Sequence, residues 1–449
     1  MSKALVERYG VNVPRYTSYP AAPHFHEGVQ DSVYRDWLGA LDAAAPLSLY
    51  FHVPFCAEMC SFCGCHTKVV RRYEPVARYL KILQAEVDIV ATALPGRFGA
   101  AFVHWGGGSP TMLRGDDWRR IHDHLRGAFE FDAEAEMAVE LDPRTATQDY
   151  IQALAAAGVN RVSLGVQDLN EKVQVAIRRV QPFDMTARVV DWLRQADITA
   201  INLDLMYGLP HQTLDMVLAS IDQAVSLKPS RIALFGYAHV PWMKSHQKLI
   251  DEKALPDAMA RFAQSEAAAQ ALEAAGYHRI GLDHFANADD TLVVAHNTGT
   301  LRRNFQGYTN DAASALLGFG TSAIGALPLG YVQNDPDMRP YAKVIEDGRL
   351  PIRRGVALSA DDRLRRDVIE RLMCDMAVDL DVVLSQHDMA QNTLDEDLAS
   401  LGPLVTDGIV RVTGHQVQVT AEGRPFARVA AAKFDAYLAS NRGRHAIAV

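Results

Sequence analysis

Four of the five cysteines, Cys56, Cys60, Cys63 and Cys65, fall within ten consecutive residues, in the stretch YFHVPFCAEMCSFCGC (50–65). A disulfide framework staples distant segments, so crowding of this kind reads as a metal or redox loop in a reducing compartment. The spacing Cys-x3-Cys-x2-Cys offers three thiolates that one loop can wrap around a cubane. A [4Fe-4S] cluster ordinarily takes four cysteines, so three leave one iron open to an exogenous chelator. S-adenosylmethionine can fill that position through its amine and carboxylate. An electron from the cluster then breaks the sulfonium bond to give a 5′-deoxyadenosyl radical. Phe62, just before the third cysteine, is placed to cover the cluster or the adenine. A zinc site could use all four thiols, but such sites usually come as two spaced Cys-x2-Cys knuckles. A thioredoxin-like pair is disfavoured because the one Cys-x2-Cys is embedded in the longer run. Cys374 stands alone on an amphipathic helical pattern and reads as a buried structural thiol.

Such a loop needs a scaffold that holds its ends and brings other polar groups to it. From about residue 47 to residue 240 short apolar runs alternate with longer amphipathic stretches, the pattern of β/α units around a parallel sheet. Strands are expected at 47–53, 101–105, 137–141, 161–166, 200–206 and 231–237. Helices are expected at 76–94, 150–157, 187–195 and 214–227, with Thr213 as an N-cap and Gly158 just past a helix end. Six units are too few for a complete eight-fold barrel. The expected fold class is therefore α/β, a partial (β/α)6 TIM-like barrel, with a flat doubly wound sheet as the alternative. A long helix at 256–275 and a strand at 277–282 follow. The C-terminal part carries a helix opened by Ser359, a second at 394–401 and a hairpin at 408–420 turning on Thr413-Gly414-His415, which suggests a small winged-helix-like, α-rich module. The expected division is an N-terminal extension (1–46), the barrel (47–335) and the C-terminal domain (336–449).

On this scaffold the cysteine loop directly follows the first strand, at the end of a parallel barrel where catalytic loops gather. Gly106-Gly107-Gly108-Ser109-Pro110 follows the second strand, where backbone without side chains lets a ligand approach closely, although alone it reads as a tight turn. It does not complete a dinucleotide fingerprint. Glu140, Gln167 and Asp204 end successive strands and point to the same mouth, although each alone could cap a helix instead.

The chain has 449 residues, 49% of them hydrophobic and 22% charged, with 45 Lys and Arg against 54 Asp and Glu for a net charge of −9. That composition fits a folded globular protein and argues against a nucleic-acid partner. No apolar run reaches the length of a membrane helix, and the first residues lack the apolar core of a signal peptide, so the expectation is a cytoplasmic protein.

The cysteine loop resembles that of the radical S-adenosylmethionine superfamily. The surrounding phrases resemble one family within it, the oxygen-independent coproporphyrinogen III oxidases (dehydrogenases): PRYTSYP (14–20), the loop with its extra Cys65, HWGGGSP (104–110), ELDPR (140–144), GVQD (165–168), DLMYGLP (204–210), YAH (237–239), DHF (283–285) and RNFQGYT (303–309). The resemblance implies that Cys56, Cys60 and Cys63 bind the cluster, with Cys65 accessory. It implies two S-adenosylmethionine molecules, one touching Tyr50, Gly107, Glu140, Ala238 and Ile324. The second would touch Phe62, Gly108, Ser109, Gln167, Arg179 and Asp204. Ser109 departs from the threonine frequent in the family. The implied reaction is oxidative decarboxylation of two propionates of coproporphyrinogen III to vinyls, served by an electron donor such as flavodoxin or ferredoxin, in a monomer. Arg15, Arg302 and Arg303, beside Tyr16, Phe305 and Tyr308, are the substrate candidates, and the segment through Pro20 is placed to fold over the mouth. A haem-binding chaperone of the superfamily is the alternative, although such relatives typically lack Cys65 and the PRYTSYP phrase. Another tetrapyrrole-acting radical enzyme is a third reading.

Overall fold

The computed structural model describes residues 3–438. Its centre is six parallel strands, β1 (Leu47–Val53), β2 (Gly99–Gly107), β3 (Glu130–Leu141), β4 (Arg161–Gln167), β5 (Ala200–Tyr207) and β6 (Arg231–Gly236). Each strand pairs with the next in the chain, and the order never reverses. Right-handed crossovers then place the connecting helices on one face. The other face is covered only if the sheet curls on itself, which excludes the flat doubly wound alternative, whose strand order reverses at a switch point.

Sequence sets this up locally. In β4 and β5 alternate residues are buried, so Val162, Leu164, Ile201 and Leu203 pack under the helices. Ser163, Gly165, Asn202 and Asp204, the intervening residues, therefore share the opposite, concave face. The helices between are capped as expected: the Thr213 hydroxyl accepts from the Met216 amide ahead of Leu214–Ser226, and Thr147 does the same for Gln148–Ala156. Gly158 follows that helix with φ +93°, a conformation open to glycine at little cost.

The sheet is larger than expected. Ala315–Phe319 lies parallel beside β1, followed by antiparallel Ile324–Leu327, Gly330–Asn334 and Ile352–Ala357. On the far side His284–Ala286 pairs antiparallel with β6, and His278–Ile280 forms the edge. The boundary expected at 335 therefore falls inside the sheet. Tyr341 and Ile345 of the helix Met338–Glu346 share the barrel core with Leu47 and Phe319.

A second core begins with Ala360–Cys374, where Ser359 and Asp362 complete a reciprocal capping box. It includes a three-stranded antiparallel sheet of Ala377–Asp379, Gln416–Val419 and Val410–Thr413, with the hairpin turning at Gly414-His415 as expected. The helix expected at 394–401 covers Asp395–Ala399, and a second short helix, Gly402–Thr406, follows; Pro403 has no amide to carry the hydrogen-bond ladder back to the Ala399 carbonyl. Cys374 is fully buried, and burial raises its thiol pKa, as befits a structural residue. The N-terminal extension divides between the two cores. Val6, Tyr9, Val13, Tyr16 and Tyr19 pack with Leu364, Leu372 and Phe426, whereas Tyr34, Trp37 and Leu38 pack on the barrel. Among the described residues no helix is long and apolar enough to cross a membrane.

Candidate active site at the strand ends

The cysteine loop leaves β1 and is held from three sides. Phe55–Cys56 pairs with Lys68–Val69, and the Ser61 amide donates to the Ile177 carbonyl at 3.0 Å. The segment after β6 clasps the far side. Gln247 Nε2 donates to the Phe62 carbonyl at 2.8 Å and the Ala238 carbonyl at 3.3 Å, His246 Nε2 lies 2.7 Å from the Cys63 carbonyl, and Lys244 Nζ donates to the Cys65 carbonyl at 2.9 Å. Cys60 is buried, Cys56 and Cys63 are half-buried, and Cys65 is exposed.

Each sulfur of the triad receives a donor. Thr67 Oγ1 lies 3.2 Å from Cys56 Sγ, and the Cys65 amide lies 3.4 Å from Cys63 Sγ. Two guanidiniums, Arg144 at 3.5 Å and Arg179 at 3.7 Å, converge on Cys60 Sγ. Donors aimed at sulfur stabilise thiolates and tune an iron–sulfur cluster. Burial pushes the Cys56 thiol up to about 11, so at neutral pH its thiolate needs the positive charge that iron brings. Among the described residues no three His, Cys, Asp or Glu side chains are gathered at the spacing a metal ion needs. The fit to a cluster therefore lies in the donors around each sulfur and the three-thiol count.

The neighbouring strand ends supply polar groups in fixed positions. Glu140 on β3 accepts from the Gly107 amide at 3.1 Å and lies 3.1 Å from His104 Nε2. The glycines are required by close approach: a Cβ at Gly106 would stand 2.6 Å from the Glu140 carboxylate, and one at Gly107, where φ is +110°, would stand 2.6 Å from the His52 ring. Tyr50 bonds His52 Nδ1 at 3.0 Å and stacks on His104, with ring centroids 5.9 Å apart. Ile324 belongs beside Tyr50, because Gly318 pairs with Tyr50 and a Cβ there would meet the Ile324 carbonyl at 2.6 Å. Phe62 packs against a small cluster that includes Val173, Ile177 and Tyr237. Ser109 bonds Thr111, which reaches Thr145 at 2.8 Å. Gly108 lies against the Phe55 backbone, joining the glycine turn to the cysteine loop.

Charge at this mouth is balanced internally. Burial works to raise the Asp142 pKa, but Arg144 at 2.7 Å and Arg179 at 3.2 Å outweigh it and hold the carboxyl below the usual carboxylate range. Arg179 also donates to the Gly165 carbonyl at 2.6 Å. Asp204 accepts from Ser163 and Asn202, yet burial still pushes it up to about 6. Gln167 takes φ +71°, a strained conformation for a residue with a side chain, at a register shift between β4 and β5. Burial pushes His52 down to about 4, leaving it neutral at physiological pH.

Sequence reasoning named neither His52 nor Arg144 as a site residue. Both stand inside phrases already singled out, but no local pattern says that one lies under Gly107 and the other on a cysteine sulfur 84 positions away.

The substrate candidates separate. Arg15 and Arg303 line one cavity of about 440 Å³ beside the end of β6, which also includes Tyr207, Ala238 and Arg261. Arg302 lies outside that cavity: it pairs with Glu370 at 2.8 Å, half-exposed, and lines a second hollow of about 330 Å³ with Phe305, Tyr19 and Arg303, which borders both hollows. Tyr308 lies under the Arg303 guanidinium, 4.4 Å from ring centroid to carbon, and donates to the Met373 carbonyl. Tyr16 also lines the second hollow, where its hydroxyl reaches Asp435 at 3.0 Å.

Comparison with known proteins agrees with this geometry. The family model for the radical SAM superfamily matches residues 50–224. The chain is 47% identical to the oxygen-independent coproporphyrinogen III oxidase of Bradyrhizobium diazoefficiens, covering 100% of both chains. It is 42% identical to the enzyme of the same name from Paracoccus denitrificans, over 96% of each. Among solved structures, coproporphyrinogen III oxidase from Escherichia coli, described as a radical SAM enzyme, superimposes with a TM-score of 0.91 at 38% identity. That match covers 97% of this chain and 99% of the other.

Proposed function

This chain belongs to the oxygen-independent coproporphyrinogen III oxidases of the radical S-adenosylmethionine superfamily, and we propose that it converts two propionates of coproporphyrinogen III to vinyls, giving protoporphyrinogen IX without oxygen. The observation that carries this reading is the full-length match at 47% identity, joined to a triad of cysteines set at the end of β1 with Glu140, Gln167 and Asp204 on the neighbouring strands.

The superfamily implies a [4Fe-4S] cluster and S-adenosylmethionine, which together supply a radical able to take hydrogen from the propionate β-carbon, after which carbon dioxide leaves and one electron passes to an acceptor. In our reading Cys56, Cys60 and Cys63 hold the cluster, and Arg144 and Arg179 brace Cys60 while Asp142 fixes both guanidiniums. Glu140, held by the Gly107 amide, meets the amine of the cluster-bound S-adenosylmethionine. Tyr50, Ala238 and Ile324 bound the same pocket. Phe62, Gly108, Ser109, Gln167, Arg179 and Asp204 line the place for a second molecule. Cys65, exposed and hydrogen-bonded to Cys63 through both its amide and its thiol, stays outside the cluster and acts in turnover. The electron donor is of the flavodoxin or ferredoxin class, and the protein works as a cytoplasmic monomer. The division into extension, barrel and C-terminal module is kept, with the barrel sheet running to Ala357.

Counting bonds gives the test. Each propionate needs one hydrogen removed from an unactivated carbon, so two molecules of S-adenosylmethionine are consumed per product if the radical is not regenerated. Under anaerobic reducing conditions, 5′-deoxyadenosine and carbon dioxide, corrected for uncoupled cleavage, are expected at a ratio near two to protoporphyrinogen IX. Cleavage without carbon dioxide would instead indicate a different radical reaction, and haem binding with neither product would indicate the chaperone.

A further inference from the structure

We infer that the cavity beside β6 is a polycarboxylate seat in which five guanidiniums, from Arg15, Arg261, Arg279, Arg303 and Arg428, grip the propionates of the tetrapyrrole. This inference rests on the function proposed above and adds the residues, three of them unnamed by any sequence pattern, that recognise the substrate.

The five come from separate parts of the chain. Arg15 belongs to the N-terminal extension, Arg261 to the helix Ala258–Ala274, Arg279 to the edge strand His278–Ile280, Arg303 to the hairpin strand Arg302–Asn304, and Arg428 to the helix Ala427–Ala431. Against them stands one carboxylate in the lining, Asp283. It is shared, with His284 Nδ1 at 2.8 Å and Arg303 Nη1 at 3.9 Å. A second carboxylate, Glu266, reaches Arg279 at 3.2 Å. Arg303 is 6% exposed, and its buried Nη1 has no hydrogen-bond partner. Gathering like charges in a partly buried hollow is unfavourable unless counter-charges arrive. In a chain of net charge −9 the local excess is not a by-product of composition.

The ligand that relieves this excess must carry several anionic groups on an apolar frame. Arginine forks match carboxylates bidentately. Between the guanidiniums the walls are apolar, with Leu234, Phe262, Leu282 and Phe285. A tetrapyrrole with four propionates has both properties. Asp283 and Glu266 face only Arg303 and Arg279, so the guanidiniums of the lining outnumber the carboxylates beside them, which suits several propionates held here while another extends to the radical source.

Arg261 sets the direction of that extension. A Cβ at Gly208, where φ is +80°, would stand 2.8 Å from its Nη1, and one at Gly236 would stand 3.4 Å from its Nη2. These glycines sit at the ends of β5 and β6, so the absence of side chains there lets the guanidinium lie at the mouth, within the same cavity as Ala238. The seat and the proposed S-adenosylmethionine pocket therefore share a wall.

The test uses the full chain with its cluster reconstituted. Coproporphyrin III, an air-stable tetracarboxylate, is the probe, with its tetramethyl ester as the uncharged control. Arg261→Gln is expected to weaken coproporphyrin III at least tenfold, Arg261→Lys less, and the ester is expected to bind poorly to every form. Iron content and melting temperature identify misfolded variants. Should Arg428→Gln fail to fold, Arg279→Gln gives a second reading of the same wall. A parent protein that oxidises coproporphyrinogen III, with variants that fold and retain parental affinity and KM, overturns the seat alone. A parent that cleaves S-adenosylmethionine but neither binds coproporphyrin III nor oxidises coproporphyrinogen III overturns the proposed function, and the seat falls with it.

Discussion

The strand-end mouth and the arginine cavity adjoin one another at Ala238, but they handle charge in opposite ways. At the mouth, Asp142 answers Arg144 and Arg179, Glu140 is met by an amide and an imidazole, and Asp204 is met by a hydroxyl and an amide. In the cavity, five guanidiniums face one lining carboxylate. A place that generates a radical gains from rigid groups already satisfied, because they do not reorganise during the reaction. A place that recognises an anion gains from charge left unanswered until the ligand arrives. On the function proposed, the contrast separates residues that build the chemistry from residues that choose the molecule.

The sharpest way to break the contrast is to remove a thiol. Cys60→Ala is expected to abolish turnover and lose most iron and sulfide, since two protein ligands would remain; full loading would remove Cys60 from the ligand set. Next comes Asp142→Asn, which leaves two guanidiniums beside a sulfur without their shared carboxylate. It should cost about 2 kcal/mol of stability, discounted for partial exposure, and lower cluster content, read by melting temperature and iron assay. On the cavity side, Arg303→Ala should raise KM for coproporphyrinogen III about tenfold, the scale of one lost charged hydrogen bond, while Arg302→Ala changes it less than twofold. Because Arg303 borders both hollows, equal effects in steady-state kinetics would bring Arg302 and the second hollow into the substrate site.

The smallest effect tests what supports the mouth from behind. Glu86 is fully buried and accepts from the Gly320 amide, Asn334 and Tyr341, and burial pushes it up to about 7. Its folded pKa thus lies above its unfolded value near 4.5. Between those values the folded state binds more protons than the unfolded one, so stability is expected to fall as pH rises from about 4.5 to 7. Glu86→Gln should flatten that part of a melting-temperature profile, whether or not it lowers the curve as a whole.

Much of this was legible in the sequence where the signal is local. The six parallel strands announce themselves as short apolar runs, and the cysteine triad by residue type and spacing. The first half of β3 was missed because Glu130, Asp132, Glu134 and Glu136 mask the apolar pattern. The helix Gly115–Ala128, rich in charge, was missed for a similar reason. The antiparallel extension from Ala315 to Ala357 was missed because its strands are short and broken by glycine. At the site, the glycine run reads in sequence as a tight turn or as room for a ligand, and no local pattern says that Glu140 packs against Gly106 and His52 against Gly107. The arginine cavity was half-seen. Arg15 and Arg303 stand beside aromatic residues in sequence, but Arg261, Arg279 and Arg428 meet them only through long-range packing, for which a linear pattern holds no sign.

The union of the two chain ends has a consequence for how the molecule comes into being. Val6, Tyr9 and Tyr16 leave the ribosome before the barrel strands, yet the residues they pack against, from Leu364 to Phe434, leave it after them. Arg15 is carried by the earlier segment and Arg428 by the later one, so that wall of the cavity is absent until the chain has been made as far as Arg428. The cysteine loop and all six parallel strands have emerged well before then. Iron can therefore be delivered to a nascent barrel that has no means yet of taking up a porphyrinogen, and a chain cut short before its last helices has a hearth without a door.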